Sequence, residues 1–142
     1  ALVRHVLAEA TLPAVVDGDA LWELEPGAWP APRVLTPHSG ELGRLIGEEA
    51  SWVDAHRLEA AREGAERFGA VLLLKGAGTI VQPPGGEPVV SDTGLPSLAT
   101  AGTGDLLTGI VTAFLAKGLD PLTAAAAAIT GEVTDVREML EN

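Results

Sequence analysis

The chain contains no cysteine, so it has neither a disulfide framework nor the paired thiols of a zinc knuckle. Its three histidines, His5, His38 and His56, stand at spacings other than the three or four residues that put two ligands on one helix face. A metal held by the protein alone is therefore not expected. Basic residues are scarce: nine Lys plus Arg face twenty Asp plus Glu, for a net charge of −11. Such a chain repels polyanions and releases no counter-ions from nucleic acid, which argues against nucleic acid and anionic membrane surfaces as partners. No apolar run approaches the roughly 20 residues that a membrane span needs, and the opening Ala1-Leu2-Val3-Arg4-His5 lacks a charged start followed by a long apolar core. A cytoplasmic protein is expected. The lack of an initiator Met, with an amphipathic pattern starting at once, points to a processed chain or a piece of something longer.

What is present is ordinary: 142 residues, 46% hydrophobic and 20% charged, fit one globular domain and not two. Val3, Val6, Leu7 and Ala10 recur at helical spacing, and the β-branched Ala14-Val15-Val16 then predicts a strand ending in an Asp17-Gly18-Asp19 loop. Pro26, Gly27, Pro30 and Pro32 exclude an element over residues 25–32, and Arg33-Val34-Leu35 reads as a second strand stopped by Thr36-Pro37. Leu42, Leu45 and Ile46 predict a turn or two of helix. A longer helix is predicted over 51–68, with Val53, Leu58, Ala61, Ala65 and Phe68 inward and Arg57, Glu59, Arg62, Glu63 and Glu66 outward. The unbroken apolar run Val71-Leu72-Leu73-Leu74 has the pattern of a strand buried on both faces. Residues 79–82 and 87–90, separated by Pro83-Pro84-Gly85-Gly86, read as a hairpin-like pair at a sheet edge. Residues 106–115 predict a buried helix, and Asp120-Pro121 supplies an N-cap and first-turn proline for a last, Ala-rich helix. Alternating helix and strand implies an α/β fold with a largely parallel sheet. The four or so visible strands are few for such a sheet.

Three segments carry chemistry. In Ala99-Thr100-Ala101-Gly102-Thr103-Gly104-Asp105, two glycines run into a helix, so backbone N–H groups and the positive helix end can hold a phosphate. Asp105, kept ionised by the same dipole, could accept a hydroxyl proton. A tight turn capped by Asp105 accounts for the same residues equally well. Lys75-Gly76-Ala77-Gly78-Thr79 follows the buried strand at its carboxyl end, where open α/β sheets bind ligands. Taken alone, it is also a plain strand-to-strand turn with a solvated Lys75. Thr36-Pro37-His38-Ser39-Gly40-Glu41 likewise lies past a strand end; its His38 is either a ligand contact or a hydrogen-bonded structural residue, and Glu41 suits a first helical turn.

In order, the segment Val15-Val16-Asp17-Gly18-Asp19-Ala20-Leu21, the TPHSGE loop at 36–41, LKGAGT at 74–79 and ATAGTGD at 99–105 resemble the ribokinase-like superfamily. Within it, TPH followed by GE, together with ATAGTGD and Ala116-Lys117-Gly118-Leu119-Asp120-Pro121, looks like the ADP/ATP-dependent NAD(P)H-hydrate dehydratase family. The resemblance implies a three-layer α/β/α fold and a carbon–oxygen lyase of cofactor repair. A nucleotide phosphorylates the hydroxyl of hydrated NADH or NADPH, phosphate leaves, and the dihydronicotinamide is restored. It implies Asp105 as base and substrate contact, His38 as substrate contact, and Lys75, Gly76, Ala77, Gly78, Thr79, Gly102, Thr103 and Gly104 as the nucleotide site. ADP or ATP with Mg2+, a homo-oligomeric assembly, and fusion to or pairing with an NAD(P)H-hydrate epimerase domain are also implied. Residues 1–142 would then be one partial domain, since the family's first strands and their glycine-containing substrate loop have no counterpart before Ala1. Two further departures are Gly94-Leu95-Pro96 where the family has Gly-Asn-Pro, and Thr130-Gly131-Glu132 where it has His-Gly. Two other readings remain beside the dehydratase. A small-molecule kinase of the same fold would accumulate phosphorylated product, and a non-catalytic nucleotide-binding remnant would bind without turnover.

Overall fold

The computed structural model describes residues 2–27, 29–76, 78–91 and 103–130. Helix α1 (Leu2–Glu9) leads to strand β1 (Ala14–Val16) and β2 (Arg33–Leu35). Helices α2 (Ser39–Ile46), α3 (Ala50–Ala55) and α4 (Arg57–Phe68) come next, then β3 (Val71–Leu74), β4 (Ile80–Gln82) and β5 (Val89–Val90). Helices α5 (Thr103–Ala116) and α6 (Pro121–Thr130) close the described chain.

The strands form one sheet in the order β1-β2-β3-β4-β5, parallel from β1 to β3 and antiparallel from β3 to β5. The β4–β5 pair is the hairpin-like pair expected at the sheet edge, but β3 and β4 also pair antiparallel, so the sheet is mixed where a largely parallel one was expected. Because strand side chains alternate, β3 feeds two cores. Leu72 and Leu74 pack with Leu35, Leu42, Val53, Ala61 and Phe68 beneath α2, α3 and α4. Val71 and Leu73 pack with Val34, Val81, Val111, Phe114 and Ile129 beneath α5 and α6. The layers are therefore α/β/α, and each fully buried leucine of β3 contributes about 2 kcal/mol.

The predicted helix over 51–68 is broken at His56. The His56 ring stacks on Trp52 with centroids 4.5 Å apart, and its Nδ1 lies 2.9 Å from the Trp52 carbonyl. A side chain competing for the carbonyl four residues back weakens the helical ladder there, and the His56 N–H turns to the Val53 carbonyl instead. Arg57, expected on the solvent side, is mostly buried, because it stands four residues after Val53 and four before Ala61 and shares their inward face; Leu58, expected inward, lies at the margin of that face and is half exposed. Two smaller differences from the sequence pattern lie elsewhere in the chain. Gly18–Glu23 is a 3-10 helix, not a loop, and α5 is buried along Leu107, Val111, Phe114 and Leu115 while Gly109 and Thr112 are exposed. The cap of α6 is as expected: the Asp120 carboxylate accepts from the N–H and hydroxyl of Thr123.

Candidate functional site

The carboxyl ends of three parallel strands and the start of α5 converge. The Thr36 N–H, just past β2, donates to the Val16 carbonyl at 3.1 Å, and the Lys75 N–H, just past β3, donates to the Pro37 carbonyl at 2.9 Å. The three strand-end loops are thus stitched side by side, at the place where open α/β sheets bind ligands.

Asp17, at the end of β1, ties this edge together. The Lys75 ammonium lies 2.8 Å from its Oδ1, and the Thr108 hydroxyl of α5 donates to its Oδ2 at 3.0 Å. Burial alone would raise this carboxyl, but the hydrogen bond and charge of Lys75, with the hydroxyls of Thr108 and Thr36, outweigh it and hold the group below its ordinary value. The sequence reads Lys75 as a solvated or nucleotide-contacting cation. It is not solvated but mostly buried and anchored to Asp17, with its ammonium having two further protons to offer a ligand. Thr108 stands one helical turn after Asp105, which brings the first turn of α5 to the same edge. Ala77 and Gly102 lie outside the described residues, and of Thr103, Gly104 and Asp105 only the helical backbone is described.

His38 is the N-cap of α2. Its Nδ1 accepts from the N–H groups of Gly40 at 3.0 Å and Glu41 at 3.2 Å, while the Glu41 carboxylate accepts from the His38 N–H at 3.0 Å. This is a reciprocal capping box, so the structural role weighed for His38 is realised. It also has a chemical consequence. An Nδ1 that accepts is unprotonated, so the neutral ring, largely exposed, carries its proton on Nε2, 3.4 Å from a Glu41 carboxylate oxygen.

The loop after β3 needs its glycines for the chain path itself. Gly76 and Gly78 have φ of +140° and +72°, which L side chains rarely adopt. The Thr79 hydroxyl donates to the Gly76 carbonyl at 3.0 Å and closes the loop. Behind it sits Arg57, whose guanidinium donates to the carbonyls of Leu74, Lys75 and Gly78 and to the Ser39 hydroxyl at 3.3–3.4 Å. Burial pulls its pKa down and nearby Asp54 pushes it partly back, yet a guanidinium keeps its charge.

Four residues of this edge are not marked as site residues by the sequence: Asp17, Ser39, Arg57 and Thr108. Asp17 has a usable signal, standing at a strand end within the motif at 15–21. Arg57 has a signal as well: it stands four residues after Val53 and four before Ala61, on the buried helix face, where a charged group must find partners. A cavity of about 380 Å3 opens elsewhere, in the outer helix layer by Trp22, Arg44, Arg67 and Phe68, and none of the predicted site residues lines it.

The model of the NAD(P)H-hydrate dehydratase family matches residues 1–139. The chain is 45% identical over 130 residues to the bifunctional NAD(P)H-hydrate repair enzyme Nnr of Moorella thermoacetica, covering 88% of this chain and 24% of that protein. It is 38% identical over 125 residues to the ADP-dependent (S)-NAD(P)H-hydrate dehydratase of Xanthomonas campestris, covering 88% of this chain and 43% of that one. Among solved structures, the ADP/ATP-dependent NAD(P)H-hydrate dehydratase of Bacillus subtilis, co-crystallised with ATP/Mg2+, superposes with a TM-score of 0.81 at 36% identity. That superposition covers 90% of this chain and 46% of the other. A ribokinase-like superfamily protein of Enterococcus faecalis is similar at 28% identity and a TM-score of 0.72, over 91% of this chain and 46% of its own. The chain thus spans a quarter to somewhat under half the length of these relatives. With the family model matching nearly the whole chain and the sheet superposing on ribokinase-like structures, the chain belongs to the NAD(P)H-hydrate dehydratase family.

Proposed function

We propose that residues 1–142 form one part of a ribokinase-like domain that restores NADH or NADPH from its hydrate at the expense of ADP or ATP. The observation that carries this reading is the convergence at Asp17, which ties Lys75 and Thr108 of α5 to the end of β1 while the Lys75 N–H bonds the Pro37 carbonyl beside His38. In the proposed reaction Asp105 takes the proton of the substrate hydroxyl as its oxygen bonds to the terminal phosphorus of the nucleotide and the bond to the leaving phosphate breaks. Positioning and charge neutralisation supply most of such a step. The carbon–oxygen bond then breaks, phosphate leaves with the electron pair, and loss of the neighbouring ring proton restores the double bond. The amides of Gly76, Ala77, Gly78, Thr79, Gly102, Thr103 and Gly104 would face the nucleotide, with Lys75 adding charge. His38 would donate from Nε2 to the hydrated cofactor.

No three carboxylate or imidazole groups converge among the described residues. A Mg2+ would therefore enter as the counter-ion of the nucleotide phosphates, where it neutralises charge. No described helix is long and apolar enough to cross a membrane, and a cytoplasmic location is proposed together with the substrates. The bifunctional relatives support an NAD(P)H-hydrate epimerase as partner activity, fused or separate, and we also propose a homo-oligomer.

The test is incubation of the chain with hydrated NADH, Mg2+ and ADP or ATP while following recovery of the dihydronicotinamide absorbance. Recovery that vanishes in Asp105→Asn is expected. Accumulation of a phosphorylated product without recovery would select the kinase instead, and nucleotide binding without turnover would leave a binding remnant.

A further inference from the structure

We propose that Arg57 is a positioning residue for the nucleotide loop: it draws the loop's carbonyls inward, turns the opposite amides outward, and ties the loop to the turn that carries His38. The inference rests on the reading of residues 75–79 as that loop.

Carbonyl and N–H of one trans peptide point in opposite directions, and no cis peptide occurs among the described residues. Arg57 Nη2 takes the carbonyls of Lys75 at 3.4 Å and Gly78 at 3.3 Å, so the N–H groups of Gly76 and Thr79 face away from it. The third carbonyl, of Leu74 at 3.4 Å, belongs to the peptide whose N–H is that of Lys75. That N–H is turned to the Pro37 carbonyl. Three peptides are thus aligned by one cation, two of them leaving their amides toward the far side of the loop. Backbone N–H groups that face one way with a positive charge behind them suit a phosphate.

Each of these hydrogen bonds is long, and the two protons of Nη2 are shared among three carbonyls. The device therefore depends on the planar fork as a whole and not on any single contact. Gly76 is part of it. A Cβ there would lie 3.2 Å from both Nη1 and Nη2, so glycine lets the guanidinium approach the loop as well as permitting its φ. Nη1 reaches the Ser39 hydroxyl at 3.4 Å, and Ser39 in turn donates to Asp54, which stands 3.9 Å from the guanidinium. Ser39 comes directly after His38. One side chain thereby fixes the nucleotide loop relative to the turn that would hold the other substrate.

The test measures ADP affinity by titration calorimetry in the unsubstituted chain and in Arg57→Met, Arg57→Lys, Ser39→Ala and the exposed Arg62→Ala. We expect Arg57→Met to lose about tenfold or more in affinity, Arg57→Lys to recover little of it, and Arg62→Ala to lose nothing. Ser39→Ala should weaken ADP binding alone and add nothing in the Arg57→Met background, since its contribution runs through the guanidinium. Guanidinium ion at sub-denaturing concentration should restore part of the affinity of Arg57→Ala, which a general loss of packing would not allow. Unchanged affinity in Arg57→Met, or full recovery in Arg57→Lys, overturns the proposal. Should Arg57→Met not fold, Arg57→Lys and the Ser39→Ala effect decide. If the unsubstituted chain binds no ADP, the nucleotide reading fails. The loop-shaping role is then read from the amide chemical shifts of Gly76 and Thr79, which must move in Arg57→Lys and stay in Arg62→Ala; shifts that do not move overturn it.

Discussion

Two buried guanidiniums sit at opposite ends of the same sheet, and they do different work with the same chemistry. Arg33, at the amino end of β2, donates to the carbonyls of Leu7, Ala10, Leu12 and Pro32 at 2.9–3.1 Å and is 1% exposed. Two of those acceptors lie at the end of α1, whose last carbonyls have no partner within the helix. Arg57, at the carboxyl end, makes longer bonds to a loop and is 19% exposed. The first closes the fold, and the second shapes a surface where a ligand is to bind. The difference teaches that what separates a structural cation from a functional one here is which end of the strands it serves, not how many carbonyls it gathers.

The sharpest way to break this comparison is to remove each arginine in turn. Arg33→Met takes the donor from four carbonyls, that of Leu7 buried, at a cost of about 3 kcal/mol or more, read as a lower urea midpoint, with ADP affinity per folded molecule unchanged. Arg57→Met should cost only about 1 kcal/mol, because its bonds are long and water can replace them, while ADP affinity falls. Equal losses of stability from both variants would erase the distinction.

The same contrast runs through what is legible in the sequence. Local signals place β1, β2 and β3 at the residues where they occur, because β-branched and leucine runs bounded by proline, glycine and aspartate report burial directly. They also put TPHSGE and LKGAGT at strand ends and assign the Asp120 cap. The site is legible as loops but not as contacts. Asp17 and Lys75 are 58 residues apart and Asp17 and Thr108 are 91 apart, and no periodicity encodes a pairing across that distance. Arg57 is hidden for another reason. Its charge marks it for the solvent side, although it stands four residues after Val53 and four before Ala61, on the face that the helix buries.

A second comparison sets Asp17 against its own neutral replacement as pH changes. Its folded pKa lies below the ordinary 3.8. Its contribution is therefore complete above the unfolded value and is lost as pH falls through the folded one. Asp17→Asn should be the less stable form near neutrality, where Lys75 loses its partner, and the two unfolding curves should converge below about pH 4. A constant gap down to pH 2 would mean that the carboxylate charge contributes nothing. Smaller again is Thr108→Val, about 1 kcal/mol for one hydroxyl on a half-buried carboxylate. Thr112→Val, whose hydroxyl bonds an exposed helix carbonyl, should stay within about 0.5 kcal/mol. Chemical denaturation of the pair reads both.

The smallest change in stability should come from His38→Asn, and it separates the two roles that meet in one ring. Asparagine is among the preferred N-caps, and its side-chain oxygen can take the amides of Gly40 and Glu41 in place of Nδ1. Unfolding should therefore shift by no more than about 0.5 kcal/mol. The Nε2–H donor, by contrast, has no equivalent once the oxygen of asparagine is committed to the cap. If that donor meets the hydrated cofactor, KM for NADH hydrate rises while ADP affinity is untouched, since the loop after β3 keeps Arg57 and Ser39. His38→Ala would lose cap and donor together and could not tell them apart, so the asparagine variant is the one that decides. An unchanged KM in His38→Asn leaves this histidine a helix cap and nothing more.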